Sequence, residues 1–184
     1  MARPAAELPR NVILTGFMGS GKTTVGRVLA RRIGWRFLDL DREVERRAGM
    51  SVAAIFRRRG EEAFRAAEYA AIRGLCRRRC RVVAVGGGAP VSARNRAWLR
   101  RAGLVVWLRV PAAELVRRLR PGASRPLLAP AHGDCRALAR LVKGLLRRRT
   151  AAYSRAAVAV SGSGSSARVA ARVAARAGLS ARAR

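Results

Sequence analysis

The chain has 184 residues, of which 50% are hydrophobic and 27% charged, and its formal net charge at pH 7 is +30. This size and composition predict one globular domain, over residues 1–184, with a core at about 11–177. No apolar run approaches the roughly 18 to 20 residues that would cross a bilayer, and the first residues lack the apolar part of a secretory signal. We therefore expect a cytoplasmic protein with no membrane partner.

The positive charge comes almost entirely from arginine, because only Lys22 and Lys143 are lysines. The arginines are spread along every predicted helix, and aromatic residues make up only 5% of the chain. Proteins that bind single-stranded nucleic acid usually combine basic residues with stacking rings. We expect a monomer with no specific nucleic-acid partner, whose arginines mostly lie on solvated helix faces. Binding of polyanions at low salt is the alternative use of this charge.

Three cysteines, Cys76, Cys80 and Cys135, form no CxxC pair. The lone His132 does not complete a metal-binding set with them at a usual spacing. Free thiols are therefore expected, rather than a disulfide framework or a zinc site.

A phosphate-binding loop follows the first predicted strand. The strand "NVILTG" (11–16) runs into "GFMGSGKT" (16–23), and a helix is predicted over about 22–33. In this strand–loop–helix context, G-x-x-x-x-G-K-T predicts backbone N–H groups that surround a phosphate, a lysine on the β and γ phosphates, and a threonine hydroxyl on Mg²⁺. The residues predicted to bind the nucleotide here are Gly19, Ser20, Gly21, Lys22, Thr23 and Thr24, with Thr23 also at the metal and Lys22 also catalytic.

Two aspartates follow the second predicted strand, "RFLDL" (36–40), before a helix over about 41–48. The carboxyl ends of parallel strands meet at one crevice, and an i, i+2 spacing in extended chain directs Asp39 and Asp41 to the same side. One carboxylate is expected to serve the metal and the other an alcohol substrate. Asp41 as a helix N-cap only and Asp39 as a purely structural residue are the alternatives.

The rest of the chain alternates short apolar runs with amphipathic stretches, which is typical of an α/β fold with a parallel sheet of five strands. Further strands are predicted at 81–86, 104–110 and 156–161, and further helices at about 51–58, 60–79, 92–101, 111–120, 135–151 and 165–177. Ser51 and Ser92 are candidate N-caps. The Pro- and Gly-rich stretch from residue 121 predicts a mobile lid over about 121–136.

Six segments, in this order, resemble the shikimate kinase family: "GFMGSGKT", "FLDLD", "SVAAIFRRRGEEAFRAAE" (51–68), "VVAVGGGAP" (82–90), "SRPLL" (124–128) and "RTAAY" (149–153). The resemblance implies a single-domain P-loop kinase fold with a five-stranded parallel sheet, flanking helices and a mobile lid. It also implies ATP- and Mg²⁺-dependent phosphorylation of the 3-hydroxyl of shikimate, giving shikimate 3-phosphate and ADP, in aromatic amino-acid biosynthesis.

The same resemblance implies roles for individual residues at the substrate end of the site. Asp39 matches the carboxylate that holds Mg²⁺ through water, and Asp41 matches the catalytic aspartate that binds the substrate hydroxyls. Arg65 and Arg149 match the arginines that bind the shikimate carboxylate. The remaining substrate-binding positions are Gly86, Gly87 and Gly88.

At the nucleotide end, Arg118 matches the family's adenine-stacking arginine, with Arg117 as its neighbour. Arg125 matches the catalytic lid arginine that closes over the phosphates. Glu68 matches an acidic residue near the substrate and is expected to orient Arg65.

Two other functions are compatible with the phosphate loop. The first is a related P-loop kinase for another small polyol such as gluconate. The second is a catalytically silent module that binds a nucleotide or polyanion.

Overall fold

A computed structural model describes residues 8–119 and 134–180 and shows five parallel strands with helices on both faces. The strands are β1 (Asn11–Thr15), β2 (Arg36–Asp39), β3 (Arg81–Ala84), β4 (Leu104–Arg109) and β5 (Val158–Ser161). Their order in the sheet is β2-β3-β1-β4-β5. This confirms the predicted α/β fold with a five-stranded parallel sheet.

Seven α-helices connect or flank these strands within the described ranges: α1 (Lys22–Ile33), α2 (Leu40–Ala48), α3 (Val52–Leu75), α4 (Ala93–Ala102), α5 (Ala112–Arg118), α6 (Cys135–Tyr153) and α7 (Ser166–Arg176). Ser51 and Ser92 cap α3 and α4, as predicted, because their hydroxyls accept bonds from Ala54 N and Asn95 N. The two helices predicted at 51–58 and 60–79 are the two parts of α3, and the kink at Gly60 confirms the predicted break between them. Helix α3 is interrupted at Gly60, where φ is 78°, and it ends at Leu75 rather than at residue 79.

The predicted lid lies mostly outside the described residues. Its last positions belong to helix α6, whose first residue is Cys135 and whose N-cap is Asp134. The Asp134 carboxylate accepts bonds from the N–H groups of Arg136 and Ala137. The helix predicted from about residue 135 is therefore confirmed at its start, and the lid itself stays a prediction.

The sheet separates two hydrophobic clusters, since alternate side chains of each strand point to opposite faces. Helices α1 and α7 cover one face, where Leu14 and Val106 pack against Leu29 and Val173. Helices α3 and α4 cover the other face, around Ile13. A third cluster joins α5 and α6 to the loop after β1, with members that include Phe17, Leu115, Leu138 and Tyr153.

A buried asparagine holds the amino-terminal end of the sheet together. Asn11 is fully buried, and its amide donates to the carbonyls of Arg78, at 2.9 Å, and Ala102, at 2.7 Å. Its side-chain oxygen accepts from Arg81 N at 3.1 Å. One side chain thus connects β1 to the start of β3 and to the end of α4.

Within the described residues, no helix is long and apolar enough to cross a bilayer. In the same ranges Cys76, Cys80 and Cys135 are free thiols, as predicted, and no group of three metal-ligating side chains of the Cys, His, Asp and Glu types is present.

Glu43 is a nearly buried carboxylate that binds three arginines. It accepts from Arg46 at 3.1 Å, from Arg47 at 2.8 Å and from Arg78, which lies just before β3, at 2.8 Å. Hydrogen bonds from Arg46 and then from Arg47, with the charge of Arg78, outweigh burial and lower the pKa of Glu43 to about 2. Helix α2 is thereby tied to the segment that enters the sheet.

Glu43→Gln is expected to lower the free energy of unfolding at pH 7 by about 2 kcal/mol, because hydrogen bonds to an ionised group are lost. The folded-state pKa lies below its ordinary value of 4.5, so this contribution is complete above about pH 4.5 and disappears as the pH falls toward about 2. Urea unfolding of both proteins at several pH values measures it. A difference between the two proteins that stayed constant from pH 6 to pH 3 would contradict this role.

Candidate active site

The phosphate loop lies between the carboxyl end of β1 and the start of α1. Gly19 and Gly21 have φ values of 77° and 87°, in the left-handed region that glycine tolerates best. The buried Ser20 donates its N–H to the carbonyl of Phe17 at 3.1 Å and so closes the turn. The loop therefore has the conformation and position that an anion-binding helix N-terminus requires.

Lys22 is the first residue of α1, and its side chain turns back over the loop. The ammonium donates to the carbonyls of Gly16, at 3.0 Å, and Phe17, at 2.9 Å. Lys22, Thr23 and Thr24 all line the cavity next to the loop. The positive charge is thus positioned beside Gly19, Ser20 and Gly21, which line the same cavity.

Asp39 and Thr23 meet at the mouth of the loop. The Thr23 hydroxyl donates to Asp39 Oδ2 at 2.9 Å, and Asp39 Oδ1 accepts from Asp41 N at 3.2 Å. Asp39 is therefore the N-cap of α2, and Asp41 lies in the first turn of that helix. A cap-only role at Asp41 was the alternative, and it was wrong, because Asp39 takes the capping position.

The prediction that an extended chain directs Asp39 and Asp41 to the same side was also wrong. The strand ends at Asp39, so the chain between Asp39 and Asp41 is not extended but already helical from Leu40. Both aspartates still line the same cavity, because the first turn of α2 starts at the carboxyl edge of the sheet.

The three glycines after β3 bring the predicted substrate-binding groups together. A Cβ built on Gly86 would lie 2.9 Å from Asp41 Oδ1, and one built on Gly88 would lie 3.0 Å from Arg65 Nη1. A Cβ on Gly87 would lie 3.5 Å from Arg149 Nη1. Helices α2, α3 and α6 thus each place one polar group against this short backbone segment. A side chain on Gly86 or Gly88 would come too close to one of these groups.

Arg65 is held by carboxylates on its own helix. It pairs with Glu61 at 2.9 Å and with Glu68 at 3.2 Å. Glu68 is only 1% exposed, and burial raises the pKa of its carboxyl, while the charge and hydrogen bond of Arg65 oppose that rise. Glu68 was expected to orient Arg65, and the ion pair between the two side chains agrees with this expectation.

Asn95, which is not among the predicted site residues, also holds Glu68. Its buried amide donates to Glu68 Oε2 at 3.4 Å and to the carbonyl of Ala89 at 3.1 Å. It therefore connects α4 both to the carboxylate behind Arg65 and to the turn after the glycines. No periodicity or motif spacing in the sequence points to this asparagine.

Tyr153 supports the glycine segment from the other side. Its side chain is fully buried, and its hydroxyl donates to the carbonyl of Gly87 at 2.6 Å. Burial raises the pKa of Tyr153, while the nearby Arg149 opposes the rise. The "RTAAY" segment contains both residues, and this motif was the available signal for Tyr153.

Arg118 also lines the cavity. Its guanidinium donates to the carbonyls of Gly19, at 3.3 Å, and Gly162, at 3.0 Å, and it also binds Glu114. Glu114 in turn accepts from the Ser163 hydroxyl. Arg118 rather than Arg117 is therefore the arginine that joins α5 to the phosphate loop.

The cavity has a volume of about 930 Å³ and extends from the loop after β5 to the aspartates. Gly86 and Gly87 line it, whereas Arg65 and Arg149 do not; these two arginines lie against Gly88 and Gly87 instead. Such a volume is in the usual range of a small-molecule site. Arg125 lies outside the described residues.

Comparisons with known proteins agree with this geometry. The family model for shikimate kinase matches residues 18–177. A shikimate kinase of Geobacter sulfurreducens is 55% identical over 119 residues, which are 65% of this chain and 66% of the relative. A shikimate kinase of Moorella thermoacetica is 44% identical over 165 residues, covering 90% of this chain and 92% of the relative.

A solved structure shows the same fold. Shikimate kinase from Acinetobacter baumannii in complex with shikimate superposes with a TM-score of 0.81 at 36% identity, covering 91% of each chain. With a family model that matches most of the chain, this likeness confirms the resemblance on which the sequence analysis relied. The chain belongs to the shikimate kinase family, whose enzymes use ATP to phosphorylate shikimate.

Proposed function

We propose that this chain transfers the γ-phosphoryl group of ATP to the 3-hydroxyl of shikimate, and that it does so at the cavity between the phosphate loop and the glycine segment 86–88. The observation that carries the proposal is the convergence of Asp41, Arg65 and Arg149 on three consecutive glycines. One anionic group and two guanidinium groups match a substrate that has hydroxyls and one carboxylate.

The phosphate loop and Lys22 bind the nucleotide phosphates. Thr23 and Asp39 present a hydroxyl and a carboxylate 2.9 Å apart next to this loop, and these are hard oxygen groups of the kind that Mg²⁺ prefers. These two side chains would hold Mg²⁺ directly or through its water shell. A bound Mg²⁺ would neutralise phosphate charge during transfer.

At the substrate end, Arg65 and Arg149 bind the carboxylate of shikimate through planar forks of N–H donors. The oxygen of the 3-hydroxyl bonds to the γ-phosphorus, and Asp41 accepts the proton that this hydroxyl loses. The bond between that phosphorus and the β–γ bridging oxygen breaks, and ADP leaves with the electron pair. The glycine segment lets the substrate approach the backbone closely.

Glu68, Asn95 and Tyr153 are positioning residues in this proposal. Glu68 holds Arg65, Asn95 holds Glu68, and Tyr153 holds the carbonyl of Gly87 beside Arg149. Stacking of Arg118 on adenine and closure of Arg125 over the phosphates stay predictions. The cytoplasmic location, the monomeric state and the absence of a specific nucleic-acid partner also stay predictions.

A coupled assay of ADP release with MgATP tests the reaction. We expect turnover with shikimate and none above background with gluconate, quinate or no acceptor, at a salt concentration that suppresses non-specific anion binding. Asp41→Asn should lower kcat for shikimate at least about 100-fold, because the proton acceptor is lost, and should leave the KM for ATP within about twofold. Normal turnover of Asp41→Asn would remove this aspartate from the chemistry, and preferred turnover with gluconate would favour the polyol-kinase alternative.

Arg65→Ala should raise the KM for shikimate about tenfold or more, because a charge-assisted hydrogen bond contributes about 1.5 to 3 kcal/mol. Asn95→Ala should raise the same KM by a smaller factor, about threefold, since it acts through Glu68. Neither change should alter the KM for ATP.

Steady-state kinetics of both variants measure these effects, with Arg57→Ala as the control, because Arg57 is an exposed arginine of α3 on the other side of Gly60. An Asn95→Ala protein with an unchanged KM for shikimate and a lower melting temperature would show that Asn95 serves stability alone.

A further inference from the structure

A second cavity lies at the amino-terminal end of the sheet, away from the phosphate loop. It has a volume of about 580 Å³, and we call it the arginine groove, because Arg47, Arg73, Arg77 and Arg78 line it together with Trp98 and Cys76. Arg78 precedes β3, whereas the glycine segment follows this strand. Arg47 lies in the last turn of α2, whereas Asp41 lies in its first turn.

Two of the guanidinium groups are fixed in place by a shared carboxylate. Arg47 and Arg78 each bind Glu43 at 2.8 Å, and Arg46 binds the same carboxylate at 3.1 Å. One negative charge therefore faces three positive charges. Each guanidinium carries five N–H donors, so Arg47 and Arg78 retain donors beyond those that Glu43 accepts.

A third guanidinium lies near two aromatic rings. Arg73 lies 5.4 Å from the centre of the Trp98 ring and 5.8 Å from that of Tyr69, and Arg101 lies 5.3 Å from Trp98. Trp98 Nε1 donates to the Tyr69 hydroxyl at 3.1 Å, which holds the two rings together. Proximity to ring faces uses none of its N–H groups, so Arg73 keeps its donors for a ligand.

The charge of the groove is not balanced by its own lining. No acidic side chain is among the described residues that line it. Four arginines in one cavity of this size therefore favour a compact ligand that carries several negative charges. The Trp98 ring already has Arg73 and Arg101 near it, which argues against base stacking and for an anion without a ring.

We propose that the arginine groove binds a compact oligophosphate, a chain of two or three phosphate groups, at a site separate from the active centre. Phosphate oxygens suit the paired donors of guanidinium groups, and a short chain brings several charges into one cavity. Under this proposal, part of the +30 charge serves to bind a specific ligand. The proposal does not depend on the reaction at the phosphate loop.

Protection of Cys76 tests the proposal locally, because this thiol lies in the groove. The 184-residue chain with Cys80→Gly and Cys135→Ser keeps Cys76 as its one thiol, and glycine suits position 80, where φ is 54°. The alkylation rate with uncharged iodoacetamide is measured against tripolyphosphate concentration, without Mg²⁺ and in about 150 mM KCl, where surface charges are screened. We expect a saturable decrease in rate of at least fivefold.

Matched variants separate the groove from general surface charge and from the phosphate loop. Arg77→Gln should raise the half-protecting concentration at least tenfold, and Arg31→Gln, which removes the same charge from an exposed position on α1, should change it less than twofold. Lys22→Met should leave the protection intact. Melting temperatures show that each variant is folded, and isothermal titration calorimetry of Arg77→Gln should show the loss of one tripolyphosphate site.

Several results would overturn the proposal. They are an absence of protection, an equal effect of Arg31→Gln, and a loss of protection in Lys22→Met, which would indicate an effect transmitted from the phosphate loop. Equal protection by citrate at the same concentration would show selection for charge alone rather than for an oligophosphate.

Discussion

The close approach of side chains to the backbone of Gly86, Gly87 and Gly88 is the constraint on which the site depends. Asp41 and Arg65 are so near this segment that a Cβ on Gly86 or Gly88 would lie about 3 Å from one of their polar atoms. The two groups belong to helices α2 and α3, and Arg149 of α6 approaches the glycine between them. The absence of side chains at Gly86 and Gly88 therefore sets the positions at which α2 and α3 can contribute to one substrate site.

Buried polar contacts keep this arrangement in place. Tyr153 binds the carbonyl of Gly87 within the glycine segment and Asn95 binds that of Ala89 just after it. Glu68 connects Asn95 to Arg65. Each of these side chains is nearly inaccessible, so an unpaired polar atom there would be costly. The proposed carboxylate-binding groups are thus positioned by hydrogen bonds that are satisfied inside the protein, which is how a preorganised site avoids reordering when the substrate binds.

Much of the fold and part of the site could be predicted from the sequence, because these features depend on local patterns. The alternation of apolar runs and amphipathic stretches predicted the parallel sheet. The phosphate loop was predictable because its motif consists of consecutive residues. The geometry at Asp41 could not be predicted, because capping by Asp39 ends the strand two residues earlier than an extended chain would require. Asn95 and Tyr153 act over separations of 27 and 66 residues, and no local pattern encodes such contacts.

The central claim is that Asp41 must lie directly against the backbone of Gly86 for phosphoryl transfer. The most direct measurement is the kcat for shikimate of Gly86→Ala, compared with Gly144→Ala, a helical glycine with open space around its Cα. A methyl group on Gly86 would meet Asp41 Oδ1 at 2.9 Å and displace the carboxylate. We expect kcat of Gly86→Ala to fall about 100-fold, because one positioned acid–base group is lost, while the KM for ATP stays unchanged. Gly144→Ala should keep full activity. A folded Gly86→Ala protein with normal kcat would contradict the account.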